Sequence, residues 1–493
     1  MPKPKRLKPE DREFFSLLAD VIFSNPFSTA REHVETVLGQ RFRHPVHDDE
    51  HHYSLMIPPL DHVLDKLEKR GIDRIQAVTG EDRTPLEHAF LFQIYHRFAD
   101  AFDDLIQRQI KQKDHPVDVP FAPDLITQLD QRGFDARETQ RYIALFYQLR
   151  RAHFFIAHSL VGDSPSMKKL RHDLWNNVFT TDVRAYARHF WDRMEDFSTL
   201  ILGETGTGKG AAAAAIGRSG LIPFDMATGC FTDSFLATFT ACNLSQFPES
   251  LIESELFGHR KGAFTGAIDN HKGLFERCSA HGSLFLDEIG DVSVPVQIKL
   301  LNVIQNRHFT PVGSHKALRF DGRVIAATNQ PMAALRQQGR FRDDFYYRLS
   351  SDVIEMPTLR QRLQESPDEL PQLAGLLLQR MSGENSAQLT DQVIASLQSS
   401  LPVDYAWPGN VRELEQAIRR ILLTGEYRSE PPSGKASDWL QNTARGNLTA
   451  QDLLAHYCLM LYRQHGTYDK VAELTELDWR TAKKYIQAGL DLP

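Results

Sequence analysis

The stretch GETGTGKG, Gly203–Gly210, decides how the chain is read. Gly203, Gly206 and Gly208 permit a tight turn that presents backbone N–H groups to phosphates, and Lys209 stands where its ammonium reaches the outer phosphates of a nucleotide. Glu204, Thr205 and Thr207 complete the GxxxxGK spacing. A Ser or Thr ordinarily follows the lysine to hold magnesium, but Gly210 offers no side-chain oxygen. An apolar strand, Thr199–Leu202, leads into the loop, and Ala211–Ala215 open a helix behind it. Downstream, FLDE (Phe285–Glu288) ends the strand Ser283–Leu286 in two carboxylates. Asp287 is expected to hold the Mg2+ shell and Glu288 to polarise the attacking water as general base. A further strand, Arg323–Thr328, ends at Asn329. Strands alternating with helices predict an α/β parallel sheet around an ATP-binding loop.

Outside this core the texture is helical. From Pro9 to His158 run long apolar-periodic segments, Leu86–Ile110 and Thr139–His158 among them, separated by Pro-, Gly- and His-rich breaks. After Pro357 a small helical lid is expected over about 358–425, with helices at Ala387–Ser399 and Val411–Leu423. Tyr427–Asn447, with SEPPSGKAS, has the clustered Pro, Ser and Gly of a linker. Three short helices follow: Asp452–His465, Tyr468–Thr475 and Trp479–Ala488. The expected division is a helical N-terminal domain (1–158), a core with lid (159–425), a linker (426–446) and a three-helix module (447–493).

With 493 residues, 41% hydrophobic and 25% charged, the chain has the make-up of several globular domains. A net charge of -7 excludes coating of nucleic acid by bulk charge, so any DNA contact must be local. No apolar run approaches the roughly 18–20 residues of a membrane span, and no apolar stretch follows the basic start; a cytoplasmic location is expected. Cys230, Cys242, Cys278 and Cys458 are scattered without metal-type spacing and read as reduced structural thiols.

Between the two nucleotide motifs lies ESELFGHRKGAFTGA, Glu253–Ala267. Its GAFTGA sets Phe264 and Thr265 between glycines, which suits either a mobile loop presenting an aromatic or a Gly-rich hairpin tip with a half-buried Phe. In order along the chain, GETGTGKG, ESELFGH, GAFTGA, LFLDEIG, AATN, FRDDFYYRL and WPGNVREL resemble the sigma-54-dependent transcription activators, bacterial enhancer-binding AAA+ ATPases. The resemblance covers about Leu160–Leu423 and resumes near the C-terminus.

The resemblance implies a role for each matching residue. The loop Gly262, Ala263, Phe264, Thr265, Gly266 and Ala267 would touch sigma-54, with Phe264 and Thr265 transmitting the motor's stroke. Asn243 would restrain Glu288 until ATP and target are engaged, and Asn329 would sense the γ-phosphate. Arg342 and Arg348 would reach a neighbouring subunit's nucleotide, so a homo-oligomer, from dimer to hexamer ring, is implied. Arg412 would contact nucleotide from the lid, with Trp407, Pro408 and Gly409 shaping the turn before it. The family usually has Glu where Gly210 stands, so this departure is not expected to abolish activity. Two insertions, near 184–194 and 221–238, carry no assigned role.

The C-terminal segment VAELTELDWRTAKKYI resembles the Fis-type helix-turn-helix of these activators, with Glu476 in place of the usual turn glycine and Ala472 at the close helix contact. Charge alone does not single it out, and a small packing bundle is the bland alternative. Trp479, Arg480, Thr481, Lys483 and Lys484 on the third helix are the candidate contacts to double-stranded DNA. The N-terminal region lacks the strand–helix alternation of a phosphate receiver, so its signal is unknown. RHPVHDDEHH, Arg43–His52, fits a solvated loop better than a metal site. His88, His96, His153 and His158 read as structural, and the surrounding phenylalanines as core or as a pocket for a small apolar effector. The expected function is DNA-bound activation of sigma-54 RNA polymerase driven by ATP hydrolysis. The alternatives are a DNA-binding repressor with a vestigial motor and a remodelling chaperone.

Overall fold

The computed structural model describes residues 5–28, 57–384, 386–402, 405–427, 443, 446 and 448–490. The Arg43–His52 cluster and most of the expected linker Tyr427–Asn447 lie outside them. The chain divides into two compact units, Met1–Ser396 with Asp404–Gly425, and Leu397–Val403 with Glu426–Pro493.

In the larger unit the expected parallel sheet forms from β1 (Thr199–Leu202), β2 (Phe239–Asn243), β3 (Ser283–Asp287), β4 (Arg323–Thr328) and β5 (Asp352–Glu355), in the order β2-β3-β4-β1-β5. Both faces are covered, as all-parallel sheets require. Ile201, Phe285, Ile325, Ala327 and Ile354 join one apolar cluster, and the alternate residues Leu200, Leu284, Leu286, Val324 and Ala326 join another. The register pairs Leu202 with Thr328 and Asn243 with Asp287, so the carboxyl ends of four strands lie along one edge. A ligand site in such sheets forms at that edge.

The first cluster continues without a gap into the N-terminal helices, taking in residues from Leu7 to Met356. These include α1 (Arg83–Arg97), α2 (Ala99–Gln112), α3 (Ala136–Ser159) and α4 (Pro165–Phe179). The segment Leu86–Ile110, expected as one helix, is two. At Phe98 the backbone turns to φ -105 and ψ 6. The ring remains buried and stacked on Phe121, so the apolar period runs through a break that neither Gly nor Pro marks. α3 begins with a capping box in which Asp135 and Glu138 satisfy each other's backbone N–H groups.

Both insertions turn out to be the surface on which the N-terminal helices pack. In the first, Tyr186 is fully buried and exchanges hydrogen bonds with Gln148 of α3 at 2.8 and 2.9 Å. In the second, the short hairpin Phe224–Asp225 and Cys230–Phe231 places Phe231 4.1 Å from the Tyr147 ring, and Phe235 packs on Phe155. The helix behind the phosphate loop, α5 (Lys209–Gly217), is met by the same α3. The fully buried Arg151 donates to the carbonyls of Arg218 and Gly220 at 2.6 and 2.7 Å, and Gln148 donates to that of Ser219 at 3.0 Å. Arg218 is the C-cap of α5 and Ser219 and Gly220 follow it, and a guanidinium at a helix C-terminus is favoured by the helix dipole.

Further along come α6 (Glu249–Phe257), α7 (Asp343–Leu349) and the lid helix α8 (Asn410–Thr424). The smaller unit contains α9 (Ala450–His465), α10 (Tyr468–Thr475) and α11 (Trp479–Leu490) around Cys458, Leu459, Val471, Ala482 and Ile486. Ala472 packs at the edge of this core. The closest approach is elsewhere: a Cβ on Gly489 would lie 2.7 Å from the Ala455 carbonyl, so glycine lets α11 meet α9. Glu476 adopts φ +54, the left-handed turn that glycine fills most easily. Among the described residues no helix is long and apolar enough to cross a membrane.

Candidate functional site

The loop after β1 is tight because its glycines leave no room for side chains. A Cβ on Gly203 would lie 2.7 Å from Met356, and one on Gly206 would lie 2.1 Å from the Gly409 carbonyl. Gly206 and Gly208 have φ +82 and +97. Lys209 opens α5 and is buried; its ammonium folds back onto the carbonyls of Gly203 and Glu204 at 2.9 and 3.2 Å. Burial lowers its pKa, with the carboxylates of Glu288 and Asp287 pulling the other way and Arg412 adding to the lowering. The Thr207 hydroxyl donates to Glu204 at 2.8 Å, and Gly210 faces open space.

Opposite the loop, β3 ends in Asp287 and Glu288. Glu288 holds φ +56, unusual for a residue with a side chain, and its N–H donates to Asp287 Oδ1 at 3.0 Å. Burial raises the Glu288 pKa, and the adjacent Asp287 raises it further. Asn329 spans the gap: its side chain donates to Thr205 Oγ1 at 2.8 Å, and its backbone N–H points at Glu288 Oε2 at 3.4 Å. Asn243 is the strand partner of Asp287, yet its side chain accepts from Ser245 N at 3.0 Å rather than meeting Glu288. Ser245 in turn donates to Asp291 at 2.6 Å, three residues beyond Glu288.

The lid closes on the loop through a residue that sequence reading passed over. Asn410 is fully buried at φ +53; its amide donates to Glu204 Oε2 at 3.0 Å and to the Thr205 carbonyl at 3.1 Å, while its oxygen accepts from Leu359 N at 2.8 Å. Val411 N also donates to the Gly206 carbonyl at 3.1 Å. Arg412 is thereby set against the loop, its Cβ 3.0 Å from where a Gly206 side chain would begin. The signal in the sequence was the Asn of WPGN, directly after a turn glycine.

From the Ser245 turn, α6 runs to the stretch Gly262–Ala267. This is a pinched loop: Gly262 N donates to the Ala267 carbonyl at 2.8 Å, and Ala267 N to that of Phe264 at 3.0 Å. Ala267 is buried, Thr265 is exposed and Phe264 is 38% exposed, its ring set edge-on to His259 at 4.9 Å. The neck is tied to a second loop through Arg260 N and the Val312 carbonyl at 2.9 Å.

Residues 178–355 match the Sigma-54 interaction domain, and residues 364–429 match the AAA+ ATPase lid domain. Over residues 178–355 the core of this chain is similar to the sigma-54 interaction domain family. It is 41% identical over 273 residues to the transcriptional regulatory protein ZraR of Klebsiella oxytoca, covering 55% of this chain and 54% of that protein. It is 36% identical over 304 residues to the regulatory protein AtoC of Escherichia coli strain K12, covering 62% and 58%. A crystal structure of NtrX from Brucella abortus in complex with ATP is 21% identical with a TM-score of 0.40, covering 75% of this chain and 81% of that one. The chain spans about half the length of the curated relatives it matches.

Within residues 178–355, neither of the two expected arginines bonds to the phosphate loop of this chain. Arg342 caps α7 and pairs with Asp344 at 2.7 Å, while Arg348 donates weakly to the Ile304 carbonyl at 3.5 Å and keeps a buried Nε–H without an acceptor among the described residues. In the smaller unit, Trp479, Arg480, Lys483 and Lys484 are exposed on α11, with the Lys483 ammonium 5.0 Å from the Trp479 ring. Thr481 instead bonds Asp478 and helps start the helix.

Proposed function

We propose that the chain is a sigma-54-dependent transcriptional activator: an ATPase that binds DNA upstream of promoters and couples hydrolysis to remodelling of sigma-54 RNA polymerase. The observation that carries this is one scaffold joining the Lys209–Glu288–Asn329 edge to the exposed Phe264 and Thr265. The connection runs through Ser245, which bonds Asp291 at 2.6 Å, and α6.

The donor set fits Mg2+·ATP. Asp287 and Glu288 crowd like charges at one strand end, which a divalent cation relieves, and Mg2+ commonly takes one or two carboxylates with the remainder from phosphate and water. Bound there, the ion would supply charge neutralisation on the β- and γ-phosphate oxygens. Lys209 would exchange the carbonyls of Gly203 and Glu204 for those phosphates. Glu288 would orient and deprotonate the attacking water, and Asn329, already bonded to Thr205 and close to Glu288, would register the γ-phosphate. Arg342 and Arg348 would act on a neighbouring subunit's nucleotide in a ring, where an arginine supplied in trans is worth roughly 10³–10⁵ in rate. α11 would contact duplex DNA, and residues 1–158 would form the regulatory domain.

Transcription in vitro tests this. With sigma-54 polymerase and a promoter carrying upstream sequence, open complexes should form with ATP and not with a non-hydrolysable analogue. Equal activity with the analogue overturns the coupling.

A further inference from the structure

A second cavity lies apart from the nucleotide loop, among the helices before residue 190. It encloses about 270 Å³ between α1, α3, α4 and the first insertion, near the lower end of small-molecule sites at roughly 300–1,000 Å³. Phe92, Phe146 and Trp175 give it an aromatic lining, and four arginines stand around it. Glu87 is the single carboxylate among the described lining residues, and it already accepts the Tyr142 hydroxyl.

The arginines are unequally neutralised. Arg150 is paired with Asp103, and Arg184 with Asp182 at 3.3 Å and Asp20 at 4.0 Å. Arg141 stacks on the Tyr142 ring at 5.0 Å and donates to its hydroxyl at 3.2 Å, and among the described residues Arg188 has no ion pair. His88, on the same wall, is held neutral by burial and by Arg184 and Arg188, which lower its pKa to about 4. A second observation points the same way. Trp175 is 5% exposed, and its indole N–H has no acceptor among the described residues. Leaving a buried donor without an acceptor is costly, so an acceptor is wanted there.

We propose that this cavity binds a small organic monocarboxylate with an apolar, ring-sized body, with Arg188 and Arg141 as its charge partners and the Trp175 indole as a donor. The body fills the aromatic lining, and the carboxylate answers the cationic excess among the described lining residues. The expected effector is therefore an acid and not the purely apolar molecule that the phenylalanines alone leave open as an alternative to a packed core.

The same wall leads to the motor. α3 presents Arg141, Leu145 and Phe146 to the cavity, while Gln148 and Arg151 of the same helix bind the carbonyls of Arg218, Ser219 and Gly220, directly after α5. α5 carries Lys209 at its other end. Occupancy of the cavity is thereby coupled to the phosphate loop, a step that rests on the ATPase reading above.

Calorimetry on the full chain separates the two parts. Benzoate and phenylacetate are titrated against the neutral isosteres benzamide and phenylacetamide, on the wild type, Arg188→Ala and the cavity-filling Ala187→Trp. The acids should bind at least about tenfold more tightly than the amides, as expected for a charge-assisted bond. Arg188→Ala should lose about that factor and Ala187→Trp should lose binding, both with wild-type circular dichroism. No binding of either acid to the wild type, equal binding of acid and amide, or unchanged binding in both variants overturns the site. Saturating acid should change the ATPase rate of the wild type about fivefold or more and leave that of Ala187→Trp unmoved. Binding without that change overturns the coupling alone, whereas a chain without any ATPase defeats the motor reading and leaves the calorimetry to decide the site.

Discussion

Replacing Asn410 shows how firmly the lid is held to the phosphate loop, and two substitutions separate its side chain from its backbone. Asn410→Gly deletes three hydrogen bonds, one of them to the Glu204 carboxylate. A bond to a charged group contributes roughly 1.5–3 kcal/mol and a neutral one roughly 0.5–1.5, so the three bonds together account for about 2.5–6 kcal/mol. Asn410→Ala deletes the same bonds and keeps a Cβ at φ +53, as the native asparagine does, whereas glycine sheds roughly 1–2 kcal/mol of that strain. In an ordinary helix the order is the reverse, with alanine about 1 kcal/mol better than glycine. Urea unfolding of both variants, with ATP binding measured in parallel, should therefore rank wild type, then glycine, then alanine, and both variants should bind ATP more weakly. Alanine as stable as glycine, or a loss below about 1 kcal/mol in both, would refute the reasoning.

Three further outcomes are expected. Burial and Asp287 raise the Glu288 pKa, so the folded protein binds that proton more tightly than the unfolded chain, and stability falls as pH rises through the folded-state value. Glu288→Gln should thus stabilise the nucleotide-free protein at neutral pH, with the gain vanishing in acid, while slowing hydrolysis roughly 10²–10⁴-fold; a less stable variant at neutral pH contradicts this. Mixing Arg342→Ala subunits with Lys209→Ala subunits should restore ATPase activity that neither has alone, because each ring then contains intact sites facing intact arginines, and a mixture as inactive as its parts speaks against action in trans. Removing Arg480 and Lys484 together should weaken duplex binding and flatten its salt dependence by about two units of log–log slope, whereas an unchanged slope would take α11 off the DNA.

The parts legible in the sequence are those set by local chemistry. β1 and β4 fall where the apolar runs before the glycine loop and before Asn329 put them. The helices of the smaller unit likewise begin at capping residues such as Thr449. What escaped depends on distant partners. Phe98 breaks a helix with no local signal, since its ring stays in the core on both sides of the turn. Arg151 looks like one charge on an amphipathic helix until the carbonyls of Arg218 and Gly220 appear beside it. The two insertions had no role until Tyr186 and Phe231 were found packed on α3. Asn410, beside the Trp407–Gly409 turn, carries no signal of its partner, because only the folded chain brings Glu204 to it.

The central claim is that the exposed loop, and not the nucleotide site alone, delivers the work of hydrolysis. Thr265→Ala changes a side chain at the tip of that loop, away from Lys209 and Glu288. Open-complex formation with sigma-54 polymerase, measured beside ATPase rate on the same preparation, tests the claim directly. The account predicts wild-type hydrolysis with open complexes lost; wild-type transcription by Thr265→Ala would contradict it.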